Sequence, residues 1–162
     1  RSDLVEHIHQ AASTYGVPHR SIQLEITETG LMRDLQNVIP SLHRLNEIGV
    51  EISIDDFGTG YSSLSYLKRL PINTLKIDKE FIDDLALGSD DAAITTTIIA
   101  MARSLGLNVV AEGVETQAQM QFLREHRCDE IQGFWLSPGL DAHRCLAFIR
   151  NWGITGSAVG AM

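Results

Sequence analysis

Val50-Glu51-Ile52-Ser53-Ile54-Asp55-Asp56-Phe57-Gly58-Thr59-Gly60 reads as a strand that ends in two acids and a glycine-rich turn. Val50, Ile52 and Ile54 recur at every second position, the period of a strand with one apolar face. Working outward, the same form returns. Strands are expected at 22–27 (IQLEIT), 50–55 (VEISID), 74–78 (TLKID), 108–112 (NVVAE) and 130–134 (EIQGF). Helical spacing fills the intervals. Leu35, Val38, Ile39, Leu42, Leu45 and Ile48 mark a helix over 35–48, and Ile94, Ile98, Met101, Ala102 and Leu105 mark one over 91–105. Gly106 stands where a helix C-cap favours a residue tolerant of positive φ. Further helices are expected over 4–15, 116–125 and 141–152, with Thr116 and Asp141 as N-caps.

Strand followed by helix, repeated every 20–35 residues, predicts parallel strands joined by right-handed crossovers. Two α/β architectures satisfy this: a closed TIM-type (β/α) barrel and an open doubly wound sheet. The acids separate them. Glu25 and Glu28, Asp55 and Asp56, Asp78, and Glu112 all lie at strand ends. A barrel collects its site from the C-terminal ends of many strands, whereas an open sheet uses two or three loops at one switch point. The barrel is favoured. A complete one needs about 250 residues, and this chain has 162, so it reads as the last two-thirds of a barrel. Residues 1–152 form one such partial domain, and the small, glycine-rich stretch 153–162 is expected to be a disordered tail.

Composition narrows the function. The chain is 44% hydrophobic and carries 13 Lys+Arg against 21 Asp+Glu, a net charge of −8. Such a balance argues against gripping DNA, RNA or an anionic membrane by bulk charge. No apolar run approaches the roughly 18–20 residues of a spanning helix. Arg1-Ser2-Asp3 leads straight into helical pattern without the profile of a secretory leader. Two cysteines, Cys128 and Cys145, cannot build a disulfide framework and are expected to be reduced thiols in a cytoplasmic protein.

Adjacent carboxylates at a buried strand end repel, and either one takes up a proton or a cation compensates. Asp55-Asp56 therefore points to an all-oxygen divalent site, or to one acid capping the turn while the other faces water. Glu25 shares a strand face with Gln23 and Thr27; turned inward it needs a partner, turned outward it is solvated. Lys76 invites a Schiff-base reading, but carboxylate neighbours would keep it charged, which suits an orienting or charge-offsetting role. Gly113 allows a sharp turn that aims Glu112 at the strand mouth. Gln132 with Phe134 and Trp135 suits a planar ligand, or else the aromatics belong to the core. Gly58-Thr59-Gly60 is not a dinucleotide fingerprint, since position 63 is serine. No zinc spacing occurs, and Ser62, Ser63 and Ser65 have no paired histidine.

Five segments in this order, LEITET (24–29), DDFGTGYSSL (55–64), LKID (75–78), AEGVET (111–116) and IQGF (131–134), resemble the EAL-domain family, bacterial phosphodiesterases that open cyclic di-GMP to linear pGpG. The resemblance implies a modified TIM barrel, a two-ion Mg²⁺ or Mn²⁺ site, cyclic di-GMP as ligand and a homodimer. It also implies an upstream sensor or GGDEF domain in a longer parent, of a kind that can be membrane-anchored. By the same resemblance Glu25, Asp55, Asp56 and Glu112 correspond to metal ligands, with Glu112 also catalytic. Lys76 corresponds to the lysine that holds the attacking water. Glu28 matches the glutamate that steadies the loop after Asp56, and Asp78, Glu115, Gln132 and Phe134 match residues that support or line the site. Two divalent ions about 3.5–4 Å apart would reverse the sign of the pocket toward a dianionic substrate and activate a bridging water.

The chain departs from the family pattern twice. It begins after the strand bearing Glu-Ala-Leu and after the next, whose Asn is also a ligand. The segment after the Gln-Gly-aromatic motif reads Ser137-Pro138-Gly139-Leu140 in place of Ser-Lys/Arg-Pro-Leu. These departures leave a catalytically inactive cyclic di-GMP receptor or interaction module as the alternative. An incomplete barrel also exposes two sheet edges, which favours self-association.

Overall fold

The computed structural model describes residues 3–60, 64–85 and 89–155. Among these, five parallel strands, β1 (Gln23–Thr27), β2 (Glu51–Phe57), β3 (Thr74–Ile77), β4 (Asn108–Ala111) and β5 (Glu130–Ile131), lie side by side in sequence order. An order that never reverses has no switch point, so the doubly wound alternative is excluded. The protein is a parallel α/β arc of a TIM-type barrel.

Eight α-helices accompany the strands among the described residues: α1 (Asp3–Tyr15), α2 (Glu28–Arg33), α3 (Leu35–Glu47), α4 (Leu64–Leu67), α5 (Glu80–Asp83), α6 (Asp90–Leu105), α7 (Gln117–Glu125) and α8 (Ala142–Thr155). The long ones follow the apolar periodicity. Their ends follow local chemistry. Ser89 accepts the Ala92 N–H at the start of α6, and Gly106 ends it in the left-handed region at φ 73°. Thr116 and Gln119 form a reciprocal capping box on α7, and Asp141 accepts the Arg144 N–H at the start of α8. The short α2, α4 and α5 have no counterpart among the expected helices. α8 continues three residues past Trp152, into the stretch expected to be disordered; residues 156–162, like Tyr61, Ser62 and Ser63, lie outside the described residues.

The register fixes two faces. Ile52, Ile54, Leu75, Ile77, Val109 and Ala111 are all fully buried and point to the helix layer, where Leu42, Leu45, Ile98, Ile99, Ala102 and Leu123 meet them. The other face carries Gln23, Glu25, Ser53, Thr74, Lys76 and, beyond the ends of the strands, Glu112 and Gln132. Gln23 reaches across to donate to the Thr74 hydroxyl at 3.3 Å.

β5 is shorter than the expected 130–134. Gly133 packs so closely on Val114 that a Cβ there would overlap the Val114 backbone, and residues 133–136 turn away from the sheet. Both cysteines are free. Burial is the main cause that pushes the Cys128 thiol up to about 11, and its Sγ lies 3.3 Å from the Glu130 carbonyl. Among the described residues no helix is long and apolar enough to cross a membrane.

Candidate metal and phosphodiester site

A regular strand would send Asp55 and Asp56 to opposite faces. β2 avoids this with a bulge. Ile54 pairs with Leu75 and Phe57 with Ile77, so β2 advances three residues while β3 advances two. Asp56 absorbs the extra residue with φ 53°, a left-handed conformation that aspartate tolerates better than most side chains. Ile54 and Phe57, the positions facing the helix layer, stay apolar and buried, and both acids turn toward the polar face. Oxygen atoms of Asp55, Asp56 and Glu112 then lie within 4.8 Å of one another.

Lys76 stands beneath them on β3. Its Nζ lies 2.7 Å from Glu112, 2.8 Å from Glu25 and 3.1 Å from Asp55, and its side chain is only 6% exposed. Burial alone would lower its pKa. The contacts with Glu112, Glu25 and Asp55 outweigh that and hold the ammonium well above the ordinary lysine value. Such a charged ammonium disfavours a Schiff-base role, as expected from the carboxylate neighbours. Asp56 is shifted upward, first by burial, then by the charge of Asp55 and a hydrogen bond shared with Asp78. Asp78 also accepts the Glu80 N–H at 2.7 Å.

Three carboxylates, Glu25, Asp55 and Glu112, thus contact one ammonium, with Asp56 beside Asp55, so acids outnumber the cation. Asp55 Oδ1 is buried, and Lys76 approaches it at 3.1 Å outside hydrogen-bond geometry, so the oxygen is held by charge alone. A buried carboxylate oxygen with that surplus of charge is what a hard divalent cation satisfies, and the donor set fits one. Asp55, Asp56 and Glu112 would hold it directly, with Glu25 adjacent through Lys76.

The remaining expected residues surround this centre. Glu28 is 1% exposed at the start of α2 and faces the loop after β2: it accepts the Gly58 N–H at 2.9 Å, and a Cβ at Gly60 would overlap its carboxylate. Glu115 pairs with Lys79. Gln132 is exposed at the strand mouth, where its carbonyl accepts the Val114 N–H. Phe134 is 71% exposed, so it is not a core aromatic; Trp135 packs against the core instead. Motif reading passes over Lys79, whose one signal is its place directly after the LKID segment.

The EAL domain model matches residues 1–139. "Cyclic di-GMP phosphodiesterase NbdA" of Pseudomonas aeruginosa is 47% identical over 152 residues, which is 94% of this chain and 19% of NbdA. MucR of the same organism, named a bifunctional diguanylate cyclase/cyclic di-GMP phosphodiesterase, is 49% identical over 90% of this chain and 21% of its own length. Its phosphodiesterase structure in complex with c-di-GMP aligns with a TM-score of 0.84 at 48% identity, covering 88% of this chain and 57% of that one. The manganese/cy-diGMP complex of Klebsiella pneumoniae BlrP1 aligns at 0.79 with 31% identity, covering 85% and 35%. The chain therefore spans about a fifth of its curated relatives and over half of the solved MucR domain. Motif order, strand order and the converging acids agree with these matches: the chain belongs to the EAL domain family.

Proposed function

We infer that this chain is the acid-bearing part of a metal-dependent phosphodiesterase that opens cyclic di-GMP to linear pGpG. The observation that carries the reading is the convergence of Asp55, Asp56 and Glu112 beside the buried Lys76. Asp55, Asp56, Glu112 and Glu25 would hold Mg²⁺ or Mn²⁺, which would supply Lewis acidity and lower the pKa of a water. Lys76, charged throughout the physiological range, holds the attacking water by donating to it and offsets phosphate charge. Glu112 and Asp55 fix the Lys76 ammonium through their own contacts to it. Asp78 stands on the next strand end, where its carboxylate accepts the Glu80 N–H, and Glu28 secures the Gly58 turn that follows Asp56. Gln132 and the exposed Phe134 stand at the strand mouth, suited to a guanine edge and face. The chain is read as a cytoplasmic segment of a homodimeric parent; further domains in that parent are favoured by the length of the relatives.

The test uses this chain and a version extended upstream, each with Mn²⁺ and cyclic di-GMP, with pGpG followed by chromatography. Turnover by the extended version, lost by at least about 100-fold in Asp55→Asn with the fold retained, is the expected outcome. An extended protein that leaves the dinucleotide intact in metal overturns the reading. A second reading, a receptor that binds without turnover, is favoured by one observation: Ser137-Pro138-Gly139-Leu140 lacks the basic residue that the family pattern places after the Gln-Gly-aromatic motif. Calorimetric binding without product would establish it.

A further inference from the structure

Lys79 ties together the two loops that carry the acids. It follows Asp78 on the β3–α5 connection, and its aliphatic stem lies directly over Gly113, where a Cβ would overlap its Cγ, Cβ and Cδ. Gly113, at φ 70°, follows Glu112. The Lys79 ammonium then reaches Glu115 on the β4–α7 connection at 2.5 Å, with Asp83 a further 3.8 Å contact. Other bonds hold the β4–α7 turn: Glu112 N–H to the Ile77 carbonyl, Val114 N–H to Gln132, and Glu115 N–H to the Gln119 side chain. The first two act at the strand ends and the third within the turn, while the Gln119 amide ties α7 to the Ile82 carbonyl. The ion pair and the stem packing join the two acid-bearing loops themselves.

The geometry points to Lys79 as a positioning residue: clasped to Glu115 across Gly113, it sets Glu112 and Asp78 at their mutual spacing and so shapes the cation site without touching cation or substrate. The inference rests on the hydrolytic reading of that pocket. An exposed ion pair contributes little to global stability. Its effect is expressed instead in the placement of ligands, where loss of an outer partner costs about 10–100-fold in metal affinity or activity.

Four variants test it: Lys79→Ala, Lys79→Arg, Glu115→Gln and the exchanged pair Lys79→Glu/Glu115→Lys. In the metal-free protein, amide exchange at Glu112, Val114 and Glu115 is expected to quicken about two- to fivefold in Lys79→Ala, and to stay at the wild-type rate in Lys79→Arg. Mn²⁺ affinity, read by spin resonance of the free ion, is expected to fall about tenfold in Lys79→Ala and Glu115→Gln and to recover in the exchanged pair. In the extended protein kcat falls and KM for cyclic di-GMP holds. Unchanged exchange and Mn²⁺ affinity in Lys79→Ala overturn the clasp, as does a rise in KM at constant kcat, which would make Lys79 a substrate contact. A wild-type extended protein without turnover overturns the hydrolytic reading alone, and the exchange measurement still decides the clasp.

Discussion

Replacing Asp56 with asparagine is expected to stabilise the metal-free protein. The Asp56 pKa is raised in the fold, so its protonated form is favoured there. That contribution to stability is fully present below the unfolded value, near 3.8, and is lost as pH rises through the folded value. The asparagine variant would keep the neutral, hydrogen-bonding form at every pH, and asparagine tolerates the left-handed backbone at φ 53°. Urea titrations in chelator from pH 4 to 7 should show Asp56→Asn losing less stability with rising pH than the wild type. Equal slopes would mean that the neighbours of Asp56 do not disfavour its charge. Substitution of Lys76 is expected to act in the opposite direction. Lys76→Met leaves Glu25, Asp55 and Glu112 facing one another, and should cost about 2 kcal/mol of unfolding free energy without metal. Added Mn²⁺ should restore part of that loss; a variant equally stable in chelator would show that the ammonium is not needed to hold the acids together.

At the level of elements, the strands were legible because they alternate. Leu24 and Ile26, Ile52 and Ile54, Leu75 and Ile77 announce one apolar face, and the acids and Lys76 fall on the other. The bulge in β2 was not legible, since nothing in Asp55-Asp56-Phe57 distinguishes a doublet turned to one face from a doublet split across two. It depends on pairing with β3, a contact about 20 residues away in sequence. The helices α2, α4 and α5, of six, four and four residues, are too short to show a period. β5 was overestimated because the residues of EIQGF suit a strand while Gly133 is required for close approach to Val114. Gly133→Ala is accordingly expected to force β5 and the β4–α7 turn apart, lowering stability by about 2–3 kcal/mol. A melting temperature indistinguishable from the wild type would contradict that packing.

Over the whole molecule, charge makes stability depend on divalent cations. Acids outnumber the one ammonium in a pocket of a chain whose net charge is −8. Mn²⁺ at about 100 times its dissociation constant should add about 2.7 kcal/mol, or roughly 5–10 °C in melting temperature for a domain of this size. Sodium chloride at matched ionic strength should reproduce only a small part. If the two salts shift the melt equally, the acids act as a diffuse charge and not as a site.

The division of labour between the two faces of the sheet has an evolutionary corollary. Cohesion resides chiefly in the aliphatic side that meets the helices, and the acids sit on the opposite side, outside that core. On the hydrolytic reading proposed above, point changes among the acids would extinguish catalysis and leave an intact scaffold, so that a lineage could pass from degrading a nucleotide messenger to sensing it without an unfolded ancestor.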